Sequence, residues 1–441
     1  MATDVRCLAL RFTIPAAGLA AMIALTLLYQ FEPGTYHRVL TFMGKVPFHY
    51  PFIDFQNVLA WIDCWQRGVD VYVTNPCDVL DRKMDYPPLW LRFTFLPGKE
   101  WTNPLGLCLG VSYFLALAVL PPPRSHKELV LRLIATLSPA TSFAVERGNI
   151  DLLVFVIATA AGVLLLRPLR SRVVAYAMIV ISGLLKFYPL VLMVLTVRER
   201  PWVFLWVNAA AAVVVLATGA YLHTEIVKMA LNINMYNTGT IGAHYLPYGI
   251  AGILGTALHP GFSLRPVKIA IFAALFLAMA GLFFRMVSWR NFRVALARLP
   301  EPEKMFLVIG AALIGGCFFT GTSNGYRAIH LLFTLPGLFA MAHMGVDMRV
   351  RRVAVQTYVL VVALTWADFF VWEGLFRQVL ASWIGNDAST AVVRFLRLLF
   401  QIAWWQVAVL FVAILIGCCL DWLEAAPQWR RPLRGHGAAQ R

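Results

Sequence analysis

Residues 144–155 read AVERGNIDLLVF, a stretch that sets Glu146, Arg147, Asn149 and Asp151 close together between two apolar runs. Charges at membrane depth are costly and usually have a partner or a task, so such a cluster in an apolar chain marks a place to look for function. The surroundings are apolar throughout: 60% of the 441 residues are hydrophobic and 14% charged, with a mean hydropathy of +0.71. Those values do not describe a soluble surface; they indicate an all-α polytopic membrane protein. The formal charge of +16 does not point to nucleic acid. The basic residues fall in short clusters between apolar runs, the positive-inside pattern of a chain whose surroundings are membrane lipids.

Spans of about 17 to 25 apolar residues are expected for membrane helices. The run from Leu8 to Tyr29 is too long for the core of a signal peptide and lacks a small-residue cleavage site, so it is read as a retained first helix. Basic clusters at Arg124, Lys127 and Arg132, at Arg167, Arg170 and Arg172, at Arg198 and Arg200, across 285–304, at Arg349, Arg351 and Arg352, and across 430–441 are assigned to the cytoplasm. This assignment predicts about twelve spans: 8–29, 104–120, 129–145, 150–166, 173–187, 188–197, 201–221, 267–286, 305–319, 328–345, 354–372 and 399–420. The fifth and sixth meet at KFYP, residues 186–189, where Pro189 favours a break and the pair reads as a hairpin.

The whole chain, 1–441, reads as one integral membrane domain with a long first outer loop at 30–103, a second outer segment at 221–266 and a basic cytoplasmic tail at 422–441. A loop as long as the first tends to be functional. It carries an expected interfacial helix over 55–66 and the pair Cys64 and Cys77. A disulfide and two free thiols are both open to that pair, since no spacing decides between them.

On this topology ERGN, Lys186 and Arg327 all lie at outer turns. Three cations converging there would suit a phosphate, to which Arg gives bidentate hydrogen bonds and Lys a mobile point charge. For each there is a plainer role: a clamp on Glu146 or Asp151 for Arg147, snorkelling for Lys186, a headgroup anchor for Arg327. Among the loop carboxylates Asp54 stands out, because YPFIDFQ surrounds it with aromatic and apolar residues, a setting that can raise a carboxylate pKa and suit a general base. Asp63 is the second choice. Asp78, Asp81 and Asp85 share a polar run with Arg82 and Lys83 and are expected to be solvated or locally paired. His244 and His330 are secondary candidates for substrate contact. No metal site or cofactor is expected.

The stretch DFQNVLAWIDCWQRGVDVYVTNPCD followed by YPPLWL, residues 54–78 and 86–91, resembles the first outer loop of the GT-C glycosyltransferases that use polyprenyl-phosphate sugars. It resembles in particular the group containing the mycobacterial phosphatidylinositol mannoside mannosyltransferases, family 87. The shared pattern is an Asp before an aromatic residue, a Gly about fourteen residues on, a nearby Tyr and then Tyr-Pro-Pro: here Asp54, Gly68, Tyr72 and Tyr86-Pro87-Pro88. ERGN and KFYP resemble the family's next two signatures, and GYR at Arg327 extends the likeness weakly beyond the first 200 residues or so. The spacer NPCDVLDRKMDYPP, residues 75–88, departs from the pattern.

The resemblance implies a GT-C-like fold and an inverting transfer of a sugar, mannose among those it points to, from a polyprenyl-phosphate donor to a lipid or glycan acceptor. It implies Asp54 as base, with Arg147, Lys186 and Arg327 on the donor phosphate. Glu146 and Asn149 would orient Arg147 or bind sugar hydroxyls, and Tyr86 would shape the loop over the sugar. The site would face the periplasm from a bacterial inner membrane. The alternative is a transporter or flippase for a phosphate-bearing lipid or glycolipid, for which two related halves with matching broken helices are usual. No such symmetry is visible in the sequence.

Overall fold

Glycine and small residues along the apolar run 301–319 let neighbours approach it closely, and the helix formed there, Glu301–Phe319, is the most enclosed of the long apolar helices among the described residues. At Gly310 a side chain would meet Thr334 Cγ2 at 2.6 Å and Phe333 Cβ at 2.8 Å, so the contact exists only because the Cβ is missing. Around it pack Phe306, Phe333 and Phe155, all but wholly buried, with the rings of Phe155 and Phe333 stacked 4.1 Å apart. Each such side chain contributes roughly 1.5–3 kcal/mol of burial.

In this computed structural model the described residues are 2–44, 48, 50–233, 240–257, 264–321, 323–345, 347–367 and 379–425. Most of the tail 422–441, the middle of the second outer segment and the end of the span 354–372 lie outside them. Among the described residues six helices are long and apolar enough to cross a membrane: Leu10–Phe31, Pro201–Tyr221, Arg265–Ser288, Glu301–Phe319, Met348–Ala367 and Asn386–Glu424. The bent pair His126–Thr136 and Pro139–Arg147 makes a seventh if counted as one span. Pro201–Tyr221 and Arg265–Ser288 bury none of their apolar length, which leaves surfaces suited to lipid.

The other expected spans are shorter or broken. The helices Thr102–Leu117 and Asp151–Leu165 have 16 and 15 residues, a reach of roughly 22–24 Å at 1.5 Å per residue against a hydrocarbon core of about 30 Å. The segment 328–345 divides into a 3₁₀ helix, Gly325–Phe333, and an α-helix, Leu335–His343. Hydropathy reports apolarity and not unbroken length, and inside a protein these shorter pieces are covered by neighbours.

At KFYP the chain turns back. Helix Leu169–Lys186 ends at Phe187, whose φ of 39° is rare for a side chain of that size. A 3₁₀ helix, Tyr188–Arg198, then returns alongside it. The two arms are tied far from the turn by Tyr176, which donates to Glu199 Oε1 at 2.9 Å, and by Arg172 to the same oxygen at 2.7 Å.

The first outer loop has a small core of its own, in which Val58, Trp61, Val71, Met84 and Trp90 meet Ile150, Leu185 and Met229. Its helix, Ile53–Gln66, is not interfacial: Val58, Leu59, Ile62 and Trp61 are all buried, because the irregular chain after it folds over both sides. Cys64 and Cys77 are joined in a disulfide with Cα atoms 5.8 Å apart. The second outer segment lies on this loop. Its helix His223–Asn232 is held by Arg92 to Glu225 at 2.9 Å, Lys228 to Asp70 at 2.6 Å, and Asn232, which donates to Tyr72 O at 2.9 Å. Further on, Thr240–Ile241 pairs antiparallel with Ser323–Asn324.

Candidate functional site

Ser138 accepts from the Thr141 N–H to cap a helix that Pro139 opens and Gly148 closes. Gly148 has φ 58°, the left-handed conformation that glycine adopts at least cost. A Cβ there would stand 3.1 Å from Phe52 Cβ and from Phe55 Cβ, so glycine also lets the loop helix dock, with Phe52 N–H donating to Glu146 O at 2.6 Å. The next residue starts the following helix, as Asn149 Oδ1 accepts from the Asp151 N–H at 3.0 Å.

This turn sorts the ERGN side chains. Arg147 lies against Glu146 at 3.3 Å, with its guanidinium 4.0 Å from the Phe48 ring centroid and 4.9 Å from that of Phe143. Glu146 in turn accepts from Tyr36 Oη at 3.3 Å and lines, with Met22, Leu25, Phe52 and Leu107, a mainly apolar crevice of about 150 Å³. Asn149 is wholly buried and faces the loop. Its Nδ2 donates to Asp54 Oδ2 at 2.8 Å, and its Oδ1 accepts from Lys186 Nζ at 3.1 Å.

Lys186 and Arg327 converge on Asp151, at 3.1 and 3.4 Å. The expected third cation, Arg147, keeps its place with Glu146 on the far side of the glycine turn. Tyr188, just past the Phe187 reversal, donates to Asp151 Oδ1 at 2.8 Å and is 2.7 Å from His330 Nε2. Arg327 and His330 share a face because side chains three apart eclipse in a 3₁₀ helix. One carboxylate against two cations leaves this buried group with positive charge in excess.

Above it lies a polar cavity of about 560 Å³ walled by residues that include Asp54, Arg82, Asp85, Tyr86, Asn232 and Tyr326, a size usual for small-ligand sites. Lys186 stands behind this wall. Its Nζ donates to Tyr86 Oη at 3.1 Å and lies 4.7 and 5.7 Å from the Tyr86 and Tyr326 ring centroids. Asp54 is held from two sides, since Oδ1 accepts from Arg82 Nη1 at 3.2 Å while Oδ2 faces Asn149. Arg82 also bonds to Asp78 and to Ile53 O. Burial works against its charge, but Asp78 and Asp54 outweigh that and hold the guanidinium protonated.

Of the expected residues, Asp54, Asn149, Lys186, Tyr86 and Arg327 therefore join one network, with His330 at its base. His244 is outside it: half-buried beside the short ladder, its ring rests against Tyr245 at 4.2 Å. Arg82 and Tyr188 belong to the network without having been singled out. Asp151 was legible as a clamp, though its partners are Lys186 and Arg327. Asp85 departs from its expected solvated or paired state. It is half-buried in the cavity wall, and burial pushes its carboxyl up to about 6, with Asp54 raising it and Lys186 and Arg82 opposing. Compared with known proteins, the chain matches no family model, no curated protein and no solved structure.

Proposed function

We propose that the protein is a membrane glycosyltransferase of GT-C-like architecture that moves a sugar from a polyprenyl phosphate to an acceptor hydroxyl with inversion. The observation that carries this reading is the placement of Asp54 on the wall of a polar cavity backed by Lys186, Asp151 and Arg327. Asp54 takes the proton of the acceptor hydroxyl as its oxygen attacks the anomeric carbon. The bond from that carbon to the phosphate oxygen breaks, and the lipid phosphate leaves as an anion. General-base help of this kind is worth about a hundredfold to ten-thousandfold. Charge gathering on the leaving phosphate is met by Lys186 and Arg327 from behind the wall and by Arg82 within it, a preorganised electrostatic role.

Asn149 couples the two halves, holding Asp54 with one end of its amide and Lys186 with the other. The apolar crevice beside Glu146 and the lipid-facing helices are suited to the prenyl chain. A disulfide in the loop that roofs the cavity favours an oxidising compartment, which supports a periplasmic site on a bacterial inner membrane. On this reading the shorter elements complete about twelve passages of the chain.

The test is transfer by purified protein in lipid, with a panel of radiolabelled polyprenyl-phosphate sugars and a membrane extract as acceptor. Transfer that Asp54→Asn abolishes supports both the reaction class and the base. No transfer from any donor, with Asp54→Asn keeping its activity in cells, would turn the reading to a carrier of phosphate-bearing lipids.

A further inference from the structure

The aspartates of the first outer loop differ in what their carboxylates touch. Asp54 is held by Arg82 and Asn149, Asp63 faces Arg67, and Asp70 meets Lys228. Asp78 meets Arg82, and Asp81 accepts from Thr74 and from the Asn75 N–H. Asp85 alone, among the described residues, lines the cavity with a carboxylate that no other side chain holds by a hydrogen bond or an ion pair. A half-buried carboxylate with open acceptor positions is suited to a donor from outside the protein.

What else lines the cavity says which donor. Tyr86 brings an aromatic ring, with the buried indole of Trp61 packed against it at 5.3 Å, and Asn57, Asn232 and Asn324 bring amides. An aromatic ring for C–H edges, with amides and a carboxylate for hydroxyls, is the chemistry of a saccharide. A phosphate is repelled by Asp85 but attracted by Lys186, whose ammonium donates to the hydroxyl of the adjoining Tyr86. The two ends of a sugar phosphate are thereby told apart.

We infer that Asp85 accepts a hydrogen bond from a hydroxyl of the donor's sugar and so fixes which sugar the cavity takes. The inference rests on the polyprenyl-phosphate reading above, which it deepens. In this arrangement Asp54 addresses the acceptor and Asp85 the sugar being moved.

The experiment is equilibrium binding to the full chain in nanodiscs of two labelled lipids, a polyprenyl-phosphate hexose and the same polyprenyl phosphate without sugar. Native protein, Asp85→Ala and the near-isosteric Asp85→Asn are compared. A hydrogen bond to a charged group is worth enough that Asp85→Ala should weaken the sugar-bearing lipid roughly tenfold or more. The sugar-free lipid should change less than about twofold, or bind more tightly once a negative charge is gone. Equal loss for both lipids, or none for either, overturns the role of Asp85 and leaves the broader reading standing. If native protein prefers neither lipid over one lacking phosphate, the donor assignment falls and Asp85 with it.

Discussion

Replacing Asp85 with Asn should stabilise the protein at neutral pH and not in acid. The folded protein raises this carboxyl from 3.8 to about 6, so between those values it binds more protons than the unfolded chain. Stability therefore falls as pH rises through that window and levels off above about 6. With each pH unit worth about 1.4 kcal/mol, the ionised carboxylate costs the folded state about 3 kcal/mol above the window. Asn, which keeps the shape and carries no charge, removes that cost. Thermal unfolding in detergent, followed by tryptophan fluorescence, should place Asp85→Asn a few degrees above native at pH 7.5 and level with it at pH 4. A difference independent of pH, or a variant less stable at pH 7.5, would refute the reasoning. The groups facing Asp85 are Lys186, Asp54 and Arg82, so a result of the wrong sign would mean that the two cations outweigh burial.

Three other outcomes follow from the geometry. Gly148→Ala puts a Cβ 3.1 Å from Phe52 and Phe55 at φ 58°, and should cost about 1–3 kcal/mol; unaltered thermal stability would contradict it. Replacing Cys64 and Cys77 with Ser opens a link with a sequence separation of 13, worth about 3 kcal/mol in chain entropy. The outer loop should then be cut faster by a protease, and an unchanged cleavage rate would count against its role as a staple. Asn149→Ala removes the shared support of Asp54 and Lys186 and should lower kcat about tenfold to a thousandfold with little change in KM for the acceptor, measured in the transfer assay. A change confined to KM would show that Asn149 acts in binding only.

Much of the site could be read from short motifs because each sits at a helix end, where sequence and geometry are closely tied. ERGN, KFYP and GYR each delivered a residue of the network. The partners were harder to see. Asp151 and Arg147 are near in sequence, but the sign of φ at Gly148 sends them apart, and a glycine does not announce that sign. Asp85 shared a polar run with Asp78 and Asp81, and an irregular chain has no period from which to tell an inward residue from an outward one. Arg82 was hidden in the same run. The loop helix looked interfacial because its Trp and aliphatic positions alternate sides, while the chain that covers both sides places its apolar residues, Val71, Met84 and Trp90 among them, without a regular period. Span number is not fixed by composition, because 150–166 and 328–345 have the apolar make-up of a crossing helix while the elements formed there are shorter or divided and are covered by neighbours within the protein.

The reversal at Phe187 bears on sidedness. An element that goes in and comes back by the same face adds nothing to the parity of crossings, whether it is counted as two spans or as none. The Arg172–Glu199 contact at 2.7 Å fastens the feet of the two arms together, so the basic residues at 167–172 and at 198–200 must share a compartment. A miscount there leaves every later segment on its assigned side.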